Sequence, residues 1–358
     1  MGGTREPITE TRGRPSTGAY TRAGERVPRS ALDQPGTRLA RRPGMGGFVA
    51  RRFGTDRFQF EVVEGWPKQD INGVAASVAC DSRGRAYVGV RNIPAGGGVG
   101  SILPGEGRIV VLNPDGSLHG DWDFAFSSPH AVWVNDQDEV FVADTGRHTI
   151  TRHAPSGEVL LTLGTPGEPG AAGQPFNMPT AAVQTPDGDI LVSDGYGQNW
   201  VHRFSPSGEL VRSWGGGDPV FIQQFRGEPV TGVAATEPGR FNLPHDIHVA
   251  ADGSVFVMDR ENLRWQVFDM AGDYVGQVNG VNRPCDVAVD GEGIFHIVGG
   301  GGVEIWTPAG QKLGAWGEKG FEPGQFKFGP HGCWIDTEGS LYIGEVGGNE
   351  GLQKFRRV

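Results

Sequence analysis

Three histidines in this chain each follow a proline and open a run of alternating apolar residues. "SSPHAVWV" carries His130, "NLPHDIHV" carries His245 and "FGPHGCWI" carries His331. A neutral imidazole offers one nitrogen lone pair, so a single residue of this kind reads as an ordinary buried polar group. Three that meet at one point form a facial nitrogen-donor set for a divalent ion. Three protein ligands beside an open fourth position is the arrangement of catalytic zinc. Whether these three meet depends on the repeat that carries them.

Short β-rich runs such as "DGDILVSD", "DGSVFVMD" and "EGSLYIGE" are bounded by acid-glycine turns, a strong hairpin signal. Further turns follow in "NPDG", "APSG", "SPSG" and "TPAG", where proline sets one φ and glycine takes another. Several units close on "SWG", "AWG" or "TLG", and no stretch reads as a long amphipathic helix. Aligned on the turns, six units emerge, with Ala76, His130, Thr180, His245, Cys285 and His331 at one shared position. Fourteen residues further on stand Val90, Asp144, Asp194, Asp259, Gly299 and Glu345, with no gap needed in any unit. Successive units begin 54, 50, 65, 40 and 46 residues apart, by subtraction of those numbers. Four short strands per unit with variable outer loops predict an all-β fold, a six-bladed β-propeller. The last unit reaches Val358 after about three strands. The alternating "RFQFEVVEGWP" (57–67) is expected to supply its fourth, closing the ring with an N-terminal strand and leaving no open edge.

In a propeller the first strand of each blade lines the central channel, so the shared position forms a ring. It reads Ala, His, Thr, His, Cys, His, which sets the histidines in every second blade, about 120° apart. The second strand runs back to the same level and brings Arg91, Asp144, Tyr196, Asp259 and Arg260 to the mouth. Two guanidinium groups and a phenol beside a metal suit a small, carboxylate-bearing anion. For the arginines, salt bridges to Asp259 or Glu261 are the competing reading. The acids that end four of the second strands read as structural. His248 faces away from His245 on a period-2 strand, and His148, His153 and His202 fall outside the ring.

Composition narrows the function classes. A net charge of −10 argues against a nucleic-acid partner, and no apolar run is long enough for a membrane span. Three scattered cysteines make neither a disulfide framework nor a zinc pair, which fits a reducing, cytoplasmic setting. Residues 1–57 hold twelve arginines against five acids and little apolar periodicity. The chain therefore divides into a basic, flexible arm over 1–56 and a propeller over 57–358. "MGGFVARRFG", opening at Met45, offers an alternative start.

The stretches "VSDGYGQNWVHRFSPSGELVRSWG" and "GRFNLPHDIHVAADGSVFVMDRENLRWQVF", with the three Pro-His copies, resemble peptidyl-α-hydroxyglycine α-amidating lyase, an NHL-type six-bladed propeller. The resemblance runs from about residue 57 to the C-terminus. It implies a catalytic zinc on His130, His245 and His331, a catalytic tyrosine at Tyr196 of "SDGY", and active-site arginines at Arg91 and Arg260. The implied reaction cleaves the C–N bond of an N-acyl α-hydroxyglycine to an amide and glyoxylate. The family's structural calcium would draw on the carbonyls of Val78 and Val132, but Gly332 replaces its acid. Its disulfide positions hold Gly197, Phe256 and Val267 here, and a methionine beside the third histidine is Gly329. Two other readings stand beside the lyase: a metal-dependent lactone or ester hydrolase on the same propeller, and a non-enzymatic NHL binding propeller.

Overall fold

The computed structural model describes residues 51–92, 105–347 and 351–358. Residues 1–50 of the expected arm, Met45 among them, lie outside these. The described chain is built of six antiparallel sheets in sequence order, as the turn spacing predicted. Blade 1 spans Val74–Cys80 to Leu118–Asp121, and blade 2 Pro129–Val134 to Val159–Leu163. Blades 3, 4 and 5 begin at Ala181, Pro244 and Pro284. Inner strands are rich in valine, isoleucine and alanine and are buried on both faces, because each sheet is covered by the next. The outermost strands, such as Leu210–Gly215, carry exposed positions.

Blade 6 confirms the closure. Its strands Pro330–Ile335, Leu341–Glu345 and Leu352–Arg357 are completed by Phe58–Val62, which pairs through Phe60 with Arg357 and Val62 with Phe355. A fifth strand, Arg52–Thr55, adds to the outside, so this sheet takes up residues ahead of the boundary read at 57. Phe58 and Phe60 pack with Val298, Ile305, Ile343 and Phe355 in the core between blades 5 and 6. A ring sealed by hydrogen bonds between its two ends exposes no free strand edge at the seam.

Register explains how the ring residues reach the axis. In five blades the pairing of first and second strands slips by one residue at the ring position, between Ala75/Ser77, Pro129/Ala131, Pro244/Asp246, Pro284/Asp286 and Pro330/Gly332. Ala76, His130, His245, Cys285 and His331 are thus the extra residues of β-bulges, and a bulge re-aims the side chain it leaves unpaired. Proline suits the adjoining place at the start of the strand, where its missing N–H costs no ladder bond.

The acids ending the second strands hold these entries in place. Ser127 and Ser128 N–H donate to Asp144 at 2.7 and 2.8 Å, and Asn177 N–H donates to Asp194 at 2.8 Å. Asn242 N–H donates to Asp259 at 2.8 Å and Phe328 N–H to Glu345 at 2.9 Å. In each of these four blades a clamped residue, Ser127, Asn177, Asn242 or Phe328, lies three before the ring residue. Between clamp and proline, Met178, Leu243 and Gly329 take positive φ, as does Arg283 before the proline of blade 5, where the second strand ends in Gly299 and offers no acid. For the three non-glycines this costs on the order of 1 kcal/mol each, borne by the surrounding packing.

One step along the channel, side chains brace neighbouring blades. Ser77 Oγ accepts Val132 N–H, Asp246 accepts Val287 N–H at 3.0 Å, and Asp286 accepts Cys333 N–H at 2.9 Å. Asp246 and Asp286 also face each other. Burial pushes Asp246 up to about 6 against the opposing pull of its hydrogen bonds, while burial and the facing Asp246 hold Asp286 well above its ordinary value. The folded pair therefore keeps protons that the unfolded chain releases near pH 4, so stability falls as pH rises from about 4 to about 6 and stays lower beyond.

Two outcomes follow. Phe60, fully buried at the seam, is expected to cost about 3–5 kcal/mol as Phe60→Ala in denaturant unfolding. Exposed Leu118 should change stability by about 0.5 kcal/mol or less as Leu118→Ala. Asp286→Asn keeps an acceptor for Cys333 and can donate to Asp246. Its thermal midpoint should gain on the wild type as pH rises from about 4 to about 6, and a pH-independent difference would contradict the shared-proton account.

Candidate metal centre

The bulges bring His130, His245 and His331 together on the axis, buried, with one potential ligand atom from each within 4.8 Å of the others. Their rings lie 4.7, 4.7 and 4.9 Å apart, centroid to centroid, at steep mutual angles of 66°, 79° and 80°. Each Nδ1 meets a main-chain carbonyl of the next blade: His130 with Thr180 at 2.6 Å, His245 with Cys285 at 2.5 Å, His331 with Ala76 at 2.8 Å. A carbonyl only accepts, so Nδ1 must carry the proton and Nε2 is left with its lone pair toward the axis. The non-histidine positions of the ring thus meet the histidines through backbone, while the Thr180 hydroxyl separately bonds to Ser193 and Pro244.

Burial also favours the neutral imidazole. It lowers His130 and His245 well below their ordinary value, assisted by the neighbouring histidines and arginines, and brings His331 to about 3. Three neutral, tautomer-locked nitrogens without an anionic partner fit a divalent ion with nitrogen affinity such as zinc, and would leave most of its charge available to a ligand.

Tyr196 places its hydroxyl against this group, 3.1 Å from His130 Nε2 and 3.0 Å from His245 Nε2. It sits just past the second strand of blade 3, in the turn after Asp194, whose carboxylate holds the neighbouring entry. Arg260 Nη1 donates to the Tyr196 hydroxyl at 3.3 Å. Burial raises the phenol above its ordinary value against the opposing pull of Arg260 and Arg91. Arg91, at the end of its strand in blade 1, is also buried. Burial brings its guanidinium down to about 10, and its charge helps to lower His130 and His331.

The competing reading for Arg260 holds as well, because its Nε donates to Glu261 at 2.9 Å while Nη1 reaches the phenol. Asp259 instead takes Arg264, at 2.7 Å. Glu261 also accepts from Arg283 at 2.5 Å and so ties two guanidinium groups together at the mouth. Sequence reading passed over Arg283, although it holds the same place before proline in "NRPCD" that Leu243 holds in "NLPHD".

Other assignments can be placed too. His248 packs on Phe256 and Phe295 between blades 4 and 5. His148 accepts Met178 N–H, His153 bonds Thr151 and Gly157, and His202 bonds Ser213, all away from the axis. The calcium set lacks its acid, and a Cβ at Gly332 would meet Ala76 O at 2.6 Å, so the site does not fit that ion. Phe256 and Val267 lie directly opposite across two strands, an apolar pair where the resembling family has a disulfide. All three cysteines are free.

The mouth opens into a cavity of about 460 Å³ lined by Tyr196, Arg260, Cys285 and His331 on the inner side. Phe221 and Phe225 of the seven-residue helix Val220–Arg226, and Phe328, line its outer side. None of these phenylalanines was singled out from the sequence, since a two-turn helix in a long connection leaves little periodicity to read.

The family model for the NHL repeat matches residues 126–152, from the entry to His130 through the third strand of blade 2. The chain is 28% identical over 260 residues to NHL repeat-containing protein 3 of Homo sapiens, covering 68% of this chain and 67% of that protein. It is 30% identical over 169 residues to peptidyl-α-hydroxyglycine α-amidating lyase 1 of Drosophila melanogaster, covering 46% of this chain but only 29% of that protein. Among solved structures, a streptogramin B lyase superposes with a TM-score of 0.55 at 11% identity, over 83% of this chain and 97% of that one. That likeness is one of fold alone. The chain is a six-bladed β-propeller with an NHL repeat, whose relatives include amidating lyases at about 30% identity.

Proposed function

We propose that this protein is a zinc-dependent lyase that cleaves the C–N bond of a carboxylate-bearing hemiaminal, of the N-acyl α-hydroxyglycine type, to an amide and glyoxylate. The observation that carries this reading is the Tyr196 hydroxyl, held within 3.1 Å of two axial histidine nitrogens and bonded by Arg260. A phenol so placed can serve a substrate hydroxyl bound at the three-histidine centre. Similarity to the amidating lyases supports the same reaction.

His130, His245 and His331 would hold the ion through Nε2. A zinc ion there supplies a Lewis acid for substrate oxygens and a positive charge that favours the ionised phenol. Tyr196 accepts the hydroxyl proton of the hemiaminal as general base. The electron pair of that O–H bond becomes the new C=O bond of glyoxylate as the C–N bond breaks, and the leaving amide nitrogen recovers a proton from Tyr196. Arg260 and Arg91 orient the carboxylate, which their fixed, buried guanidinium groups suit better than a lysine would. Glu261 keeps Arg260 turned toward the phenol. The substrate is a small carboxylate-bearing molecule rather than a nucleic acid or a membrane, and the three free cysteines suit a reducing, cytoplasmic compartment.

Purified wild-type protein is expected to contain about one zinc per chain and to release glyoxylate from α-hydroxyhippurate. Alanine at His130, His245 or His331 should remove metal and activity together, and an active metal-free variant would refute the proposal. Tyr196→Phe should keep its metal and lose about 10²–10⁴-fold in kcat. A hydrolase acting through metal-activated water would lose far less, and a binding propeller would release no glyoxylate at all.

A further inference from the structure

The 65-residue interval between Thr180 and His245 is the longest in the ring, and the helix it contains stands at the mouth of the axial site. Phe221 lies with the Arg260 guanidinium 4.8 Å from its ring centroid and the Tyr196 ring at 5.7 Å. Phe225 stacks on Phe221 at 6.1 Å, nearly parallel at 21°, yet stays 43% exposed. Phe328 comes from a different connection, the one leading into His331. Its backbone is held by Glu345, and its ring is 38% exposed. Rings this exposed lose burial energy unless something covers them. These line one cavity, and its outlet leads from the metal centre.

The rest of the cavity has the same character. Beyond their chain neighbours, a Cβ at the lining residues Gly301 or Gly329 would meet nothing within 4 Å, so the cavity has free space beside both. Among the described residues its charged lining is Arg260 and Arg283, with no acid facing in. A substrate whose carboxylate sits at Arg260 must direct its acyl group outward, past Phe221, into this space.

We propose that the vestibule is an acyl subsite that selects an aromatic or other bulky apolar N-acyl group and rejects a cationic one. Aromatic pairing and ring burial supply the preference, and the two guanidinium groups, which share the one carboxylate of Glu261 and so keep a net positive charge, supply the repulsion. The inference names the substrate class of the lyase reading and rests on it for the position of the carboxylate.

The test is binding of inert glycine conjugates to the zinc-loaded full chain by calorimetry, alongside glyoxylate release from the matching α-hydroxyglycines. N-acetyl-phenylalanylglycine should bind about tenfold more tightly than N-acetylglycine, and N-acetyl-lysylglycine no better than N-acetylglycine. Phe225→Ala and Phe328→Ala, both at exposed positions, should each shrink the aromatic-to-acetyl ratio about threefold or more, with circular dichroism showing the fold retained. Equal binding of the three conjugates, no binding by any, or a ratio untouched by both substitutions would overturn the subsite. Aromatic preference in binding with no glyoxylate from any substrate would sink the lyase reading and leave the subsite standing.

Discussion

Each axial histidine gives its Nδ1 proton to a main-chain carbonyl of the following blade: His130 to Thr180, His245 to Cys285, His331 to Ala76. This exchange fixes the tautomer, turns the ring edge-on to its neighbours and leaves Nε2 as the group that faces the axis. The third of these bonds joins residues 255 apart in sequence. It can form only if the ring is closed, so the seam made by Phe58–Val62 and Leu352–Arg357 is a condition of the histidine arrangement as well as of stability.

The supports beneath this exchange follow a single plan. A bulge projects the ring residue, a proline starts the strand, and an acid from the second strand clamps the backbone three residues earlier. Left-handed residues before proline at Leu243 and Arg283 store strain that the clamps and inter-blade packing offset. Tyr196 and Arg260 continue from the same second strands, so the groups proposed to act on substrate are held by the elements that aim the metal ligands.

The architecture was legible because repetition is a sequence property. Register alone put His130, His245 and His331 on one level, placed Tyr196, Arg91 and Arg260 near them, and matched 57–67 to the vacant place in the last blade. The bulges were invisible because the spacing from ring position to the matching position late in the second strand is the same fourteen residues in all six units, whether or not a register shift lies between them. The carbonyl partners could not be read, since Ala76, Thr180 and Cys285 share no side-chain chemistry and meet the histidines only through backbone. Asp246 and Asp286 escaped notice because each is an ordinary acid in its own strand, and their coupling appears only when two blades meet. The boundary at 57 also missed the extra strand Arg52–Thr55, whose four residues carry too little alternation to separate them from a polar segment.

The ring's alternation divides labour between side chain and main chain. The even blades spend a side chain on the axis, whereas the odd blades lend it only a peptide oxygen. Alanine, threonine and cysteine can all do that equally well. The side chain at 76, 180 or 285 is therefore not what sets the imidazole tautomer. Substituting these side chains would alter the walls of the channel while leaving the three Nδ1–carbonyl bonds to be made by the main chain.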